Sequence, residues 1–151
     1  MNRKATRQPL DAARILLAED DPGDVLITRE SLADAPVACD LAVVDDGAMA
    51  LDYLHKRGEF SEAQTPHLVL LDLNLPKVSG HEVLAELKAD PALASIPVVV
   101  LSTSSADDDV IATYSLHGNA HITKPVDFED YQAVIRSIDE FFLSVAQVPQ
   151  P

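Results

Sequence analysis

Five short apolar runs, spaced so that a helix fits between each pair, constrain this chain more than any other feature. They are "RILLA" (14–18), "DLAVV" (40–44), "HLVLL" (67–71), "IPVVVL" (96–101) and "NAHIT" (119–123). The segments between them carry helix signals. Asp21 is placed to cap the first helix, with Pro22 at its first position. "DDGAMALDYLHKRG" turns Ala50, Leu51 and Leu54 inward and is expected to close at Gly58. Ser79 caps a third helix that buries Val83, Leu84 and Leu87. "ADDDVIATYSLHG" reads as a fourth, its acidic start matched to the helix dipole and its end expected at Gly118. The fifth runs from about Asp127 toward Val145, with Phe128, Tyr131, Val134, Ile135, Ile138, Phe141, Phe142 and Val145 on a 3–4 spacing. Parallel strands need crossovers, and crossovers are right-handed. The pattern therefore predicts an α/β fold, a doubly wound five-stranded parallel sheet of order 2-1-3-4-5. It spans one domain from 13 to 145, with tails at 1–12 and 146–151.

Charge and composition remove several function classes. The 151 residues include 25 acidic and 11 basic side chains, a net charge of −14. Such a chain repels a phosphate backbone and anionic lipid, so neither nucleic acid nor membrane is expected as a partner. The single cysteine, Cys39, excludes an internal disulfide and a cysteine-rich metal site. No apolar run approaches the roughly 20 residues of a membrane span. The basic start "MNRKATRQPLDAA" has no apolar segment behind it, so a cytoplasmic protein is expected. The five histidines are scattered, and Gly118 interrupts the only helical pair, His117 and His121.

In a sheet of this order, chemistry sits beyond the carboxyl ends of the strands, near the switch point between strands one and three. Those ends carry Glu19-Asp20-Asp21, Asp72, Ser102-Thr103 and Lys124-Pro125. Neighbouring strands lie about 4.8 Å apart, which sets Asp72 beside Glu19 and Asp20, with Lys124 two strands further along. Three carboxylates at one place repel each other, and an all-oxygen cluster in an open crevice suits Mg²⁺. With an incoming phosphoryl group the parts take roles. Asp72 is the nucleophile, Mg²⁺ and Lys124 neutralise the spreading charge, and the Ser102 hydroxyl bonds a phosphate oxygen. Each residue alone has a bland explanation. An aspartate after a strand is commonly a turn former, and an acidic cluster is commonly a cap. The bland explanations account for any one residue, but not for the set on consecutive strand ends.

The motifs "ILLAEDD", "LVLLDLNLPKVSGHEVL", "IPVVVLSTS" and "HITKP" resemble the receiver domain of two-component response regulators. The resemblance covers roughly 13–145 and implies the flavodoxin-like receiver fold. It implies Asp72 as phosphoacceptor, Glu19 and Asp20 as the acidic metal pair, and Asn74 as the backbone-carbonyl ligand. It further implies Ser102 and His121 as switch residues, Lys124 as the conserved lysine, and a cis Lys124–Pro125 bond. Such a protein is not a classical enzyme; it catalyses only its own phosphorylation and dephosphorylation. "EDDPGD", "HKRGEFSEAQTP" and "PVVVLSTSSADDD" resemble the single-domain regulators paired with phytochrome-type histidine kinases, so a bacteriophytochrome kinase is the implied partner. Glu19 stands where aspartate is commoner, Ser102 where threonine is, and His121 where tyrosine or phenylalanine is, giving a more polar switch ring.

No basic helix follows Val145, so output is expected through protein contacts made by the face of helix four, strand five and helix five. The apolar stripe reaching Phe141, Phe142 and Val145 suggests a homodimer on that face. A phosphatase of the haloacid dehalogenase type also attacks through a strand-end aspartate. It needs a second acid two residues on, where this chain has Asn74. A receiver-like interaction module that is never phosphorylated is the other rival, and retention of all five strand-end residues argues against it. A flavin-binding protein would want a phosphate loop where "EDDPGD" stands.

Overall fold

In the computed structural model, which describes residues 12–35, 38–103 and 106–145, all five apolar runs become strands. The elements alternate as β1 (Ala13–Ala18), α1 (Pro22–Ala33), β2 (Cys39–Val44), α2 (Gly47–Leu54), β3 (Leu68–Asp72), α3 (Gly80–Ala89), β4 (Val98–Ser102), α4 (Asp107–Ser115), β5 (Ala120–Thr123) and α5 (Phe128–Asp139). A π-helical segment, Glu140–Val145, continues α5. The strands form one parallel sheet in the order β2-β1-β3-β4-β5.

Alternate strand residues feed two cores, as the two-residue period of a strand requires. Leu16, Val69, Leu71, Val98 and Val100 point to the side covered by α2 and α3, where they meet Leu54, Val83, Leu84 and Leu87. Ile15, Leu17, Leu68, Leu70, Val99 and Leu101 point to the side of α1 and α5, against Leu32, Tyr131, Ile135 and Ile138. β3 and β4 are buried on every residue, so their near-continuous apolar sequences are those of strands covered on both faces.

The helix starts follow the local signals. The Asp21 side chain accepts from Gly23 N at 2.8 Å. Ser79 and Glu82 form a reciprocal capping box on α3. The helix ends differ from expectation. α2 stops at Leu54, and the left-handed residue that closes it is Lys56, at φ 56°; Gly58, also left-handed at φ 58°, lies two residues beyond that end. Arg57 N donates to Asp52 O at 2.9 Å and Lys56 N to Tyr53 O at 3.2 Å, the paired bonds of a Schellman end. α4 ends the same way: His117 holds φ 69°, and Gly118 N donates to Thr113 O at 2.9 Å. Gly118 serves closeness here, since a Cβ on it would lie 2.8 Å from Thr113 Cγ2. The stripe of α5 is also narrower than its sequence suggests. Phe128 and Phe141 are exposed, while Tyr131, Ile135 and Ile138 are buried. The side chain of Val145 lies outside the described residues.

Candidate functional site

Register sets the crevice. Ala18 pairs with Leu71, so Glu19 and Asp72 leave adjacent strands side by side. Asp72 pairs with Leu101 and Ser102 with Thr123, which brings the hydroxyl and the β5 exit to the same end. Asp72 is the last residue of β3 rather than part of the following turn, so a strand with both faces packed fixes its backbone. Its Oδ1 accepts from Asn74 N at 3.1 Å. The loop beyond is held close by Gly80, where a Cβ would lie 2.5 Å from Asp72 O.

Glu19, Asp20 and Asp72 each offer a carboxylate oxygen within 4.8 Å of the others. Glu19 and Asp72 are buried at 1% and 6% exposure, whereas Asp20 is open to solvent. Lys124 reaches across β4 and β3 to this group. Its Nζ lies 2.6 Å from Glu19 Oε1, 2.9 Å from Asp24 Oδ2 and 3.5 Å from Asp72 Oδ2. Glu19 also accepts from Asp21 N through Oε2 at 3.2 Å. Burial, and then the neighbouring Asp72, push the Glu19 carboxyl up to about 7. Burial alone would lower the Lys124 ammonium, but its bonds to Glu19 and Asp24 hold it above its ordinary value. Three carboxyl groups, those of Glu19, Asp24 and Asp72, thus share one ammonium, and the cluster of Glu19, Asp20 and Asp72 suits a small hard cation with oxygen ligands.

The Lys124–Pro125 bond is trans, which corrects the cis expectation. The two isomers of an X–Pro bond differ by only about 0.5–1 kcal/mol in favour of trans. Here the trans chain already delivers Lys124 to its carboxylates. Ser102 is fully buried at the end of β4, and its carbonyl accepts from Lys124 N at 2.7 Å.

His121, on β5, is half-buried, and its Nδ1 lies 2.8 Å from the Thr113 hydroxyl. His81 Nε2 is 3.4 Å from the same oxygen. That hydroxyl donates to Asp109 O at 3.0 Å, so it is left to accept from the two rings. Thr113 of α4 thus anchors the His121 ring and is also reached by His81 of α3.

Two of these residues escape a reading of the sequence. Asp24 looks like an acid complementing the first turn of α1, and only the fold aims it at Lys124. Thr113 looks like an ordinary helix position, and its role depends on two histidines from other elements. Spacing held a signal for Asp24 alone, five residues beyond Glu19 on the turn that faces the crevice.

The model of the response regulator receiver domain matches residues 15–136. This chain belongs to that family. It is 43% identical to the response regulator Rcp1 of Synechocystis over 135 residues, 89% of this chain and 92% of that protein. The phosphorylated cyanobacterial phytochrome response regulator RcpA superposes with a TM-score of 0.91 at 45% identity, covering 93% of this chain and all of RcpA. The Mn²⁺-bound form of Rcp1 gives a TM-score of 0.89 at 42% identity, over 91% of this chain and 99% of that one. The receiver fold and the kinship with phytochrome response regulators follow. Among the described residues, no helix is long and apolar enough to cross a membrane.

Proposed function

We propose that this protein is a response regulator that accepts a phosphoryl group on Asp72 from a sensor histidine kinase of the phytochrome type. The observation that carries the reading is the buried Lys124 ammonium beside the cluster of Glu19, Asp20 and Asp72. A carboxylate nucleophile, a fixed cation and an oxygen-only metal site are the parts that phosphoryl transfer to an aspartate needs. Kinship with RcpA, a phytochrome response regulator, supports the kinase class.

Glu19, Asp20 and Asp72, with the Asn74 backbone carbonyl, would hold Mg²⁺. The ion, when bound, supplies charge neutralisation between the acids and on the transferred group. An Asp72 oxygen attacks phosphorus; the O–P bond forms as the P–N bond to the kinase histidine breaks, and the electron pair leaves with the imidazole nitrogen. Lys124 turns its ammonium to the phosphoryl oxygens, and Ser102 donates its hydroxyl proton to one of them. That movement draws on His121, and biases the α4–β5–α5 face between two states. Hydrolysis returns Asp72 to its carboxylate, with the chain's own residues serving both directions.

Leu26, two residues beyond Asp24, and Val126, two beyond Lys124, are exposed apolar side chains suited to a kinase helix. The phosphodonor puts the protein in the cytoplasm. A net charge of −14 disfavours nucleic acid as a target. A homodimer on the α4–β5–α5 face is supported by exposed Phe141 and an apolar groove of about 380 Å³ lined by Ile122, Val134, Ile138 and Phe142. Sedimentation at tens of micromolar should find a dimer, and a monomer with and without a phosphoryl mimic removes that part.

The chemistry is tested by weighing the intact protein after acetyl phosphate and Mg²⁺, beside Asp72→Ala and an EDTA control. A phosphate-sized, hydroxylamine-labile gain that requires both metal and Asp72 is expected. A gain of the same size in Asp72→Ala would overturn the reading.

A further inference from the structure

Lys124 is not centred on Asp72. Its ammonium has three protons to give, and the two short contacts go to Glu19 and Asp24, at 2.6 and 2.9 Å. The Asp72 oxygen is 3.5 Å away, beyond the usual length of a charge-assisted hydrogen bond. We propose that Asp24 is a positioning residue that holds the lysine in a resting place and must release it when Asp72 carries a phosphoryl group. The proposal rests on the reading of Asp72 as phosphoacceptor.

The two holders of the lysine differ. Glu19 belongs to the three-acid cluster and also accepts from Asp21 N, so its charge is shared. Asp24 stands outside that cluster, and among the described residues its carboxylate bonds Lys124 alone. The pair is well shielded, at 6% and 20% side-chain exposure, so solvent weakens it little. Tyr131, buried on α5, backs it, and both charges act on the Tyr131 hydroxyl.

A phosphoryl group on Asp72 brings oxygens that ask for the same ammonium. Lys124 then gives up Asp24, and the lost bond counts against the phosphorylated state. Asp24 therefore sets how readily the crevice fills, although it touches neither the metal cluster nor the reacting atoms. Its negative charge near the mouth acts in the same direction.

The test titrates the full chain with beryllofluoride, a phosphoryl mimic, by calorimetry at saturating Mg²⁺. Asp24→Asn keeps the shape and removes the charge, so it should bind about tenfold more tightly, the worth of one charge-assisted hydrogen bond. Asp24→Glu, which keeps a carboxylate, should stay closer to wild type than Asp24→Asn does. Glu30→Gln makes the same charge change on α1 at an exposed site with no ion pair among the described residues, and should move binding less than about twofold. A damaged fold would weaken binding, so tightening separates release of the lysine from mere loss of structure. Unchanged or weaker binding by Asp24→Asn, or equal tightening by Glu30→Gln, overturns the role of Asp24 while leaving the receiver reading intact. No binding by wild type overturns the receiver reading, and this proposal with it.

Discussion

At the carboxyl end of the sheet, Glu19 and Asp72 are buried beside Lys124. At the amino end, Asp139 closes α5 and is buried against Cys39, the first residue of β2, with the thiol 3.4 Å from Oδ1. Burial is the leading cause of a raised carboxyl at both ends, for Glu19 and for Asp139. It also pushes the Cys39 thiol up to about 12, with Asp139 adding to the rise. What differs is the company. Asp139 has only a weak neutral donor, the half-buried Cys39 thiol. The crevice has an ammonium, a second buried acid and the open carboxylate of Asp20, so charge can enter and be balanced there. Burial alone makes an acid costly; a fixed cation and an entrance make it useful.

The largest effect that would break this contrast is on phosphoryl acceptance. Asp72→Ala should abolish it, whereas Asp139→Asn should leave the extent of modification within about twofold of wild type, both read by intact mass. Equal losses would erase the distinction between the two ends.

Lys124→Met should come next. It leaves Glu19, Asp24 and Asp72 facing one another with no protein cation, and removing one partner of a buried pair costs about 3–5 kcal/mol. Urea unfolding in EDTA should show a loss of that order, partly restored by Mg²⁺. A loss below about 1 kcal/mol would mean that the lysine is not what stabilises the cluster.

Gly80→Ala probes how the crevice is built. The new Cβ would press on Asp72 O, so the loop must shift, at a cost of about 1–3 kcal/mol. Slower phosphorylation should accompany the lost stability. Full stability with slow phosphorylation would relocate the effect to the loop's chemistry alone.

The smallest effects belong to the amino end. Asp139 has a folded-state carboxyl raised above its unfolded value, so the folded protein binds more protons between those two values. Its contribution is therefore present at low pH and lost as pH rises through the folded value. Asp139→Asn removes that loss. Its melting temperature should exceed wild type at pH 8, with the gap closing toward pH 4. In the native protein at pH 8, Cys39 should react with a disulfide reagent far more slowly than after unfolding, since the thiolate is the nucleophile. Equally rapid reaction in both states would show that the fold does not hold the thiol protonated.

Much of this was legible because it is local. Apolar runs marked the strands, Asp21 and Ser79 marked helix starts, and strand-end positions marked Glu19, Asp72, Ser102 and Lys124. Helix ends were harder. A glycine is the usual mark of a left-handed end, yet Lys56 and His117 take that conformation because paired backbone bonds outweigh its cost. Asp24 and Thr113 were hidden because their meaning lies in partners distant along the chain, Lys124 for one and two histidines for the other. The cis expectation before Pro125 rests on the family resemblance alone, and the bond is trans, the isomer that an X–Pro pair favours locally.

The most direct test of the central claim is to locate the modification. Protein treated with acetyl phosphate and Mg²⁺ is reduced with borohydride, which converts an acyl phosphate to an alcohol, then digested and mapped by peptide mass. Conversion of residue 72 to homoserine, absent without Mg²⁺, is the expected result. Conversion at Asp20, Asp21 or another acid, with Asp72 intact, would contradict the account.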